Sequence, residues 1–559
     1  MITKPIFNRR EWTFVAIVIV VVLVITSLPY LFAYASAPDD RRFMGVMFNI
    51  PDHFQYFSWM RESRDHVLVS NQLTPEYSAP LLFNLLWWTL GRIEALTGLN
   101  YALLFQITRL LAGAFVIAAI YWFCGLVFED RRKRLTALLI AVLGTGIGWV
   151  WVLEKYLNDR PELLFNFDVQ TAEPNTFFSI LAFPHFTIAT GLITVIFGLV
   201  LLGQRTQSLR YAWLAAAVSL LLALQHAYDM FTIYGVIGVY FLFLWLRDRR
   251  FPAYMFKLGI IVGLVSVWPA LQAFLITNAD DVWRGVLAQF DNAEAWTPNP
   301  LHLPILMGIG WLLAIWALDI PITRRGVQLN APTKLDDTNL LITAWFLSHF
   351  VLVYLPLNFQ IHLLSGWQVV TGVLATIGLY KRVLPWLQRR FQNTSPERLA
   401  RYATIALVLL VIPTNLYLLA WRFIDLRRAE NPYYLRTDEV AALDYLEQQV
   451  TGDDVVLASL DIGQFVPALT GARSFLGHWA QTLDFYGKTD SVKAFFSGAT
   501  ADDDRLALLQ HYGVDYVIYS PQEALLGDYD PAAASYLDEV YSNDNVRVYA
   551  VRQEVAGTG

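Results

Sequence analysis

The amino-acid sequence predicts an α-helical polytopic membrane protein with about eleven transmembrane helices, followed by a small C-terminal α/β domain. Of its 559 residues, 56% are hydrophobic and only 16% are charged, whereas soluble domains carry roughly 25% charged residues. Apolar stretches close to the ~20 residues needed to cross a bilayer recur along residues 1–424. Residues 425–559 return to the mixed, strongly acidic composition of a soluble domain. We therefore predict two domains with a boundary at 424/425.

The predicted crossings are runs of Leu, Ile, Val, Ala and Phe without helical periodicity, as expected for helices surrounded by lipid or by other helices. The first run is longer than the roughly 7–15 residues of a signal-peptide core, which indicates an anchor. We divide the segment 211–246 at His226–Asp229, because a single helix would be too long and would bury Asp229. The runs lie at about 12–34, 100–127, 135–153, 183–203, 211–227, 230–246, 258–277, 302–320, 339–356, 364–384 and 402–424.

Basic residues indicate the orientation of these helices. If the N-terminus is cytoplasmic, 22 of the 32 Lys and Arg residues before position 425 fall in inner connections, as the positive-inside rule requires. The resulting topology places the α/β domain outside the plasma or inner membrane. The inner basic groups include Lys4, Arg9 and Arg10, the run Arg131–Arg134, and Arg324, Arg325 and Lys334.

Net charge separates the two predicted domains. Residues 425–559 contain 22 acidic and 9 basic residues, a net charge of −13, whereas the preceding part has a net charge of +7. Neither pattern is typical of a nucleic-acid-binding protein.

Long connections lie on the predicted outer side, at 35–99, 154–182 and 278–301, which suggests that the chemistry takes place there. Within the first outer loop, 79–98 is apolar but contains Arg92 and Glu94. We interpret it as an amphipathic helix in the membrane interface. A twelfth crossing at this place would invert every later assignment.

The tail alternates predicted helices and strands, which favours a parallel sheet. Helices are expected at 437–449 and 502–512, and strands at 455–459, 514–519 and 546–551. The first strand is followed by one glycine only, Gly463, so it leads into no glycine-rich phosphate loop. A lid or scaffold is the simplest role for this domain.

Several types of chemistry find no support in the sequence. A single cysteine, Cys124, excludes an intramolecular disulfide and a cysteine-cluster metal site. The chain has no H-x-x-x-H pattern, which argues against zinc. It has no G-x-S-x-G and no P-loop, which argues against a serine hydrolase and against ATP-driven transport.

The most informative segment is 38–64, which follows the first predicted crossing. Asp39, Asp40 and Asp52 lie there, and Asp52 opens a probable helix that also carries Tyr56 and Arg61. Asp52 and Tyr56 share a face of that helix, and an acid at a helix N-terminus is stabilised in its charged form. From these residues alone, Asp52 is either a simple first-turn acid or a site residue.

The spacing D-x-x-x-Y-x-x-x-x-R, written here as Asp52, Tyr56 and Arg61, resembles the first-loop signature of GT-C class glycosyltransferases. The likeness is closest to the protein-O-mannosyltransferase and aminoarabinose-transferase branch. It covers residues 12–130 well and the later crossings in number and topology. The tail resembles an extracytoplasmic α/β module of such bacterial membrane proteins. Four further runs resemble the same group. They are TPEYSAPLLFNLL at 74–86, Leu90–Gly91, Thr97–Gly98 and Thr108–Arg109–Leu110.

The resemblance implies a transferase that takes a hexosyl or pentosyl group from a polyprenyl-phosphate-linked donor at the outer face. Asp52 would be the general base that activates an acceptor hydroxyl, or would position that acceptor. Family members often carry a second acid, for which we select Asp40, with Asp159 and Asp168 as rivals. They also often carry a D-E or E-x-D pair, where this chain has Asp52–His53. A requirement for Mg²⁺ or Mn²⁺ therefore stays open, and the metal ligands are unknown.

The donor requires phosphate ligands and polar groups near the membrane surface. Arginine pairs well with phosphate oxygens, and an ionisable group inside an apolar helix is functional by default. Arg109 is therefore either a phosphate ligand or an arginine that extends to the outer interface. Three histidines at predicted outer helix ends suggest a shared polar cavity, although interfacial histidines would show the same pattern. His478 faces that cavity or lies in a simple loop. The predicted substrate-binding and lipid-phosphate-binding residues are His53, Tyr56, Arg61, Arg109, His185, His226, Asp229 and His362.

Two other functional classes compete with a transferase. One is a transporter or flippase of lipid or polysaccharide, against which we find no internal repeat and no matching pair of broken helices. The other is a membrane scaffold without catalysis. The expected partners are membrane lipids, a lipid-linked sugar and a glycan, lipid or protein acceptor.

Overall fold

The computed structural model describes residues 7–160, 167–289, 296–318 and 336–552. They form two compact units: the first comprises Met1–Leu28, Ile107–Leu271 and Glu294–Trp421, and the second comprises Pro29–Gln106, Gln272–Ala293 and Arg422–Gly559. The third segment of the second unit begins close to the predicted boundary at 424/425. That unit also takes in the first loop, which we had grouped with the membrane domain. Lys4 and the basic group Arg324, Arg325 and Lys334 lie outside the described residues.

The first unit is helical, and four of its helices continue into segments of the second unit. A π-helical turn, Leu379–Val383, joins two of its helices. Short 3₁₀ turns lie at Phe167–Val169, Ala227–Asp229, Pro300–His302 and Gln360–Leu364. The α-helices are Arg9–Ala35, Tyr101–Val127, Arg131–Leu143, Trp149–Leu157, Thr176–Ala182, Pro184–Thr206, Leu209–Ala223, Met230–Asp248, Ala253–Ser266, Trp268–Ala279, Leu303–Ala317, Asp337–Leu352, Trp367–Gly378, Leu384–Arg390, Pro396–Val411 and Pro413–Arg427.

The predicted membrane architecture is confirmed by the length and composition of these helices. Among the described residues, six helical segments are long and apolar enough to cross a bilayer, or eight if each of two bent helix pairs counts as one crossing. Each of the eleven predicted runs overlaps at least one helix, although 135–153 is divided between Arg131–Leu143 and Trp149–Leu157 and the end of 302–320 lies outside the described residues. Three of those helices, Arg131–Leu143, Leu209–Ala223 and Asp337–Leu352, have only 13, 15 and 16 residues. The number eleven therefore stays a prediction.

The predicted break at His226–Asp229 is present, because helix Leu209–Ala223 ends before it and Met230–Asp248 begins after it. The expectation that the break would keep Asp229 out of the interior is wrong. Asp229 is completely buried, and the neighbouring His226 supplies the hydrogen bond that makes this burial tolerable.

Two strands connect the first loop of the second unit to the start of the tail. Strand β1, Arg41–Phe43, pairs antiparallel with β2, Tyr434–Arg436. Helix Ile50–Glu62 follows β1, and helix Leu85–Thr97 comes later in the loop. The latter has 13 residues, about 20 Å at 1.5 Å per residue, and is too short to cross a hydrocarbon core of about 30 Å. Its location in the interface stays a prediction.

The tail contains the strands β3 (Val455–Leu457), β4 (Arg473–Ser474), β5 (Val514–Tyr519), β6 (Leu537–Ser542) and β7 (Arg547–Val551). They form one mixed sheet in the order β4-β3-β5-β7-β6. β3 pairs parallel with β4 and β5, whereas β7 pairs antiparallel with β5 and β6. The prediction of a parallel sheet is therefore wrong at one edge. Only four residues, 543–546, connect β6 to β7, too few for the crossover that parallel strands need.

Helices cover the sheet where the sequence predicted two of them. Asp502–Tyr512 has the predicted bounds, and Thr437–Glu447 ends two residues earlier than predicted. Helix Phe485–Phe495 was not predicted. The second unit also includes Asp281–Gln289 and the short helices Leu460–Gly463, Val466–Thr470 and Pro521–Ala524.

In the first unit, the buried carboxylate of Asp168 connects the starts of two helices, Trp149–Leu157 and Pro413–Arg427. Asp168 Oδ2 accepts hydrogen bonds from the Gly148 amide at 2.8 Å and from Thr414 Oγ1 at 3.0 Å. Its Oδ1 has no hydrogen-bond partner among the described residues. A Cβ atom on Gly148 would lie 1.7 Å from that oxygen, so only glycine fits there. Burial raises the pKa of Asp168 to about 6, although the two hydrogen bonds act in the opposite direction.

The raised pKa predicts that Asp168→Asn stabilises the protein at neutral pH. Because the carboxyl is easier to ionise in the unfolded chain, its contribution to stability is fully present below about pH 4. That contribution is lost as the pH rises to about 6, at a cost of about 3 kcal/mol. Asparagine keeps the acceptor and carries no charge. In detergent, the variant's thermal midpoint should exceed that of the wild type at pH 7.5 and match it near pH 4.

The control is Asp159→Asn, which changes an exposed acid in the same connection and should leave the midpoint unchanged at both pH values. A midpoint difference between the Asp168→Asn variant and the wild type that does not vary with pH would contradict this account of the carboxyl.

Candidate functional site

Asp52 lies in the first turn of helix Ile50–Glu62, as predicted, and its side chain is 25% exposed. Both carboxylate oxygens accept hydrogen bonds. Asn49 Nδ2 donates to Oδ2, and His478 Nε2 lies 2.7 Å from Oδ1. Asn49 has a left-handed backbone with φ of 42°, a conformation that asparagine tolerates better than most residues. The carboxylate is thus held from two sides and remains open to solvent.

The hydrogen bonds of His478 determine which of its ring nitrogens carries the proton. The backbone amides of Ala480 and Gln481 donate to Nδ1 at 2.9 Å and 3.3 Å. Nδ1 is therefore an acceptor, and the proton of the neutral ring lies on Nε2. The ring is buried, and its Nε2–H donates to Asp52.

A buried network fixes the segment that carries His478. Thr482 Oγ1 accepts from the amides of Gly477 and His478, both at 3.0 Å, and donates to the Leu73 carbonyl at 2.6 Å. Asn71 Nδ2 donates to the Gln481 carbonyl at 2.8 Å. Through these bonds the run 71–73 of the first loop orients the run 477–482 of the tail.

A buried ion pair supports the same contact. Lys488 Nζ lies 2.6 Å from Glu76 Oε1 and donates to the Leu483 carbonyl at 2.6 Å. The lysine side chain is 1% exposed and the glutamate side chain 33%. Desolvation lowers the pKa of Lys488, and the bond to Glu76 opposes that shift. Glu76 belongs to the run TPEY, one of the sequence patterns that indicated the family.

Other residues of the same helix have structural roles. His53 is buried, with Nδ1 2.9 Å from the Asn49 carbonyl and its ring packed edge-on against Phe105. Tyr56 stacks on Trp87 with ring centroids 4.5 Å apart. Both rings are thus part of the packing of this helix, and their contact with substrate stays a prediction.

Arg61, predicted to bind phosphate, is engaged with the tail. Its Nη1 donates to Glu447 Oε1 at 2.9 Å and to the Leu469 carbonyl at 3.1 Å. A guanidinium used in this way holds the helix against the tail.

Asp40, the predicted second acid, is 59% exposed at the side chain and lies 3.6 Å from the neighbouring Arg41. The donors to the Asp52 carboxylate are Asn49 and, from the tail, His478. Of the two rivals, Asp168 is buried in the first unit and Asp159 is exposed.

Three predicted histidines converge in the first unit. His226 Nδ1 lies 2.7 Å from Asp229 Oδ2, and its Nε2 lies 2.6 Å from the Tyr228 hydroxyl. The Tyr228 ring stacks on His362, with centroids 4.9 Å apart. His185 packs with its ring centroid 5.7 Å from that of His226.

A second carboxylate completes this cluster, because His362 Nδ1 lies 2.5 Å from Glu173 Oε1. Glu173 was not predicted as a site residue, although it precedes His185 by only twelve residues. Two carboxylates among three histidines make the histidine cluster better suited to hydroxyl groups than to a phosphate.

Arg109, the other predicted phosphate ligand, is buried in the first unit. Its guanidinium donates to Ser27 Oγ at 2.9 Å, Thr26 Oγ1 at 3.2 Å and the Ile180 carbonyl at 3.3 Å. The Arg109 side chain is 1% exposed and does not extend to the surface of the unit. These contacts assign it to the packing of three helical segments.

His478 is not suited to bind a metal ion beside Asp52. Asp52 Oδ1 faces an N–H of His478, and a ring nitrogen that carries a proton has no lone pair for a metal. Among the described residues, no group of three or more His, Cys, Asp or Glu side chains has the arrangement needed to hold one.

The fold of the chain is similar to that of solved membrane glycosyltransferases of the GT-C class. The archaeal oligosaccharyltransferase AglB from Archaeoglobus fulgidus, solved with an inhibitory peptide and a dolichol-phosphate, has a TM-score of 0.55 and 12% identity. The match covers 98% of this chain and 75% of that one. The same organism's oligosaccharyltransferase in complex with Zn and sulfate has a TM-score of 0.55 at 13% identity, over 97% and 74% of the two chains.

A third similar structure is ArnT from Cupriavidus metallidurans bound to undecaprenyl phosphate, with a TM-score of 0.47 and 14% identity over 97% and 99% of the two chains. No family model and no curated protein matches the chain. At these identities the likeness confirms the predicted GT-C resemblance at the level of the fold.

Substitutions in the Glu76–Lys488 pair should destabilise the protein to different extents, because the two side chains are buried to different extents. Glu76→Gln leaves a wholly buried ammonium without a carboxylate and should cost about 3 kcal/mol. Lys488→Met should cost less, because Glu76 keeps access to water. The double variant should be more stable than the sum of the two losses predicts. Thermal midpoints in detergent measure all three, and purely additive losses would show that the pair is not coupled.

Proposed function

We propose that this protein transfers a sugar from a polyprenyl-phosphate-linked donor to a hydroxyl group of an acceptor at the outer face of the membrane, with Asp52 as the general base. The observation that carries the proposal is the state of Asp52. Its carboxylate is partly exposed, is oriented by two donors, and stands at a helix N-terminus in the first loop of a chain with the GT-C fold.

The chemistry follows from the lone pairs that Asp52 retains. A carboxylate has about four acceptor positions, and the bonds from Asn49 and His478 use two of them. An acceptor O–H within about 2.6–3.2 Å of Asp52 donates into a third. The acceptor oxygen then bonds to the anomeric carbon of the sugar while the bond from that carbon to the phosphate oxygen breaks. The proton passes to Asp52, and polyprenyl phosphate leaves with the electron pair.

The histidine cluster of the first unit is a second candidate binding site. Glu173 and Asp229 accept hydrogen bonds there, and the Tyr228 ring stacks on His362. Carboxylates would repel a phosphate and would favour hydroxyl or amino groups. The cluster of His185, His226, Asp229 and His362 therefore suits a ligand with hydroxyl or amino groups better than the lipid phosphate.

The proposal includes the predicted orientation, with a cytoplasmic N-terminus and the tail outside the cell membrane. This orientation would place the first loop and the tail where a lipid-linked hexosyl or pentosyl donor meets a glycan, lipid or protein acceptor. Membrane lipids surround the first unit. No step of the proposed mechanism is routed through a metal ion.

Replacement of Asp52 by Asn tests the proposal. The variant keeps the size of the side chain and loses the base, so transfer should fall by about two to four orders of magnitude. The full chain in liposomes is supplied with undecaprenyl-phosphate-linked glucose, mannose or 4-amino-arabinose and with native membrane extract as the acceptor source. Release of undecaprenyl phosphate is measured.

The matched control is Asp65→Asn, which removes an exposed carboxylate of the same loop and should retain full transfer. An unchanged thermal midpoint shows that the Asp52→Asn variant folds. Wild-type rates in that variant would remove Asp52 from the mechanism. Translocation of the intact donor, without release of undecaprenyl phosphate, would favour a flippase.

A further inference from the structure

The C-terminal tail contributes a side chain directly to the proposed base. His478 and Asp52 are 426 positions apart in the sequence, and their side chains meet at 2.7 Å. The proposed reaction needs a carboxylate whose free lone pairs point in one direction. The Asp52 side chain has two rotatable bonds. The direction of its carboxylate therefore depends on the groups that donate hydrogen bonds to it.

We propose that His478 is a positioning residue for the transfer reaction: its Nε2–H fixes the plane of the Asp52 carboxylate, and His478 itself takes no proton. This inference rests on the proposed function. It makes the tail a part of the catalytic unit rather than a separate lid or scaffold.

The surroundings of the imidazole exclude a proton relay. In a relay, one ring nitrogen would take the proton of the acceptor while the other passed a proton onward. Here the amides of Ala480 and Gln481 occupy Nδ1, and the carboxylate of Asp52 occupies Nε2. Neither nitrogen faces a substrate hydroxyl. Asp52, with a quarter of its side chain exposed, is the group that an acceptor reaches.

The rigidity of the histidine supports the positioning role. The two amides lie on the same short segment as His478, and Thr482 fixes that segment against Leu73. The neighbouring Trp479 ring lies with its centroid 5.3 Å from that of the imidazole. A donor held in this way loses little rotational freedom when it binds the carboxylate, so its orienting effect is passed on to Asp52.

Two amides of different length separate this role from simple packing. In His478→Gln, the amide N–H reaches the position of Nε2, whereas in His478→Asn it reaches only the position of Nδ1. We expect the Gln variant to keep kcat within about threefold of wild type and the Asn variant to lose about tenfold or more, both with KM nearly unchanged. His478→Phe, which keeps the ring without an N–H, should behave like the Asn variant.

These rates are measured in liposomes with whichever of the three undecaprenyl-phosphate-linked sugars is turned over. Equal rates for the Gln, Asn and Phe variants, high or low, would overturn the inference. Thermal midpoints identify a variant that fails to fold, and the Gln–Asn comparison remains decisive if the Phe variant does.

A spectroscopic measurement on the full chain is independent of activity. In ¹⁵N-histidine-labelled protein, His478 should have its proton on Nε2, and Asp52→Ala should shift the Nε2 signal while Nδ1 stays unprotonated. A proton on Nδ1, or a signal insensitive to Asp52→Ala, refutes the positioning contact. If the contact is present but wild-type protein turns over no donor, the proposed function fails instead, and with it the catalytic meaning of the contact.

Discussion

The second unit depends on the association of two segments that lie far apart in the chain, the first loop and the tail. The first loop contributes Phe54 and Phe57 to one hydrophobic core, and the tail contributes Leu443 and Phe465 to the same core. Burial of these apolar side chains offsets part of the conformational entropy that both segments lose on folding. Because their apolar faces cover each other, the unit is one cooperative structure, and every polar contact at Asp52 depends on it.

Polar contacts within that core give the association its register. A hydrophobic surface has no preferred alignment, whereas β1–β2 pairing and the bond from Arg61 to Glu447 each fit only one position of the helix against the tail. The Glu76–Lys488 pair adds a third such constraint. Buried ion pairs contribute little net stability but oppose alternative packings. A general base needs this kind of specificity, since its function depends on tenths of an ångström more than on total stability.

Local patterns in the sequence predicted the elements, and non-local contacts decided what the sequence left open. The helix at 502–512 and the strand after Gly513 were predictable because capping and apolar spacing are local signals. The direction of β7 was not, since it depends on the length of one loop and on pairing across the sheet. Asp52 was found through its helix position. Its contact with His478 left no signal beyond the short run G-H-W, because pairing across 426 positions has no periodicity.

The same limit applies to the charged residues. A buried arginine in an apolar helix predicts a polar partner, and a lipid phosphate is one candidate. Hydroxyls and a carbonyl of neighbouring helices serve equally well, and they are what Arg109 contacts. The acidic partners of His226 and His362 reverse the charge expected of a phosphate site for a similar reason. Residue type alone gives the need for a partner, and only the fold tells whether the protein or a ligand supplies it.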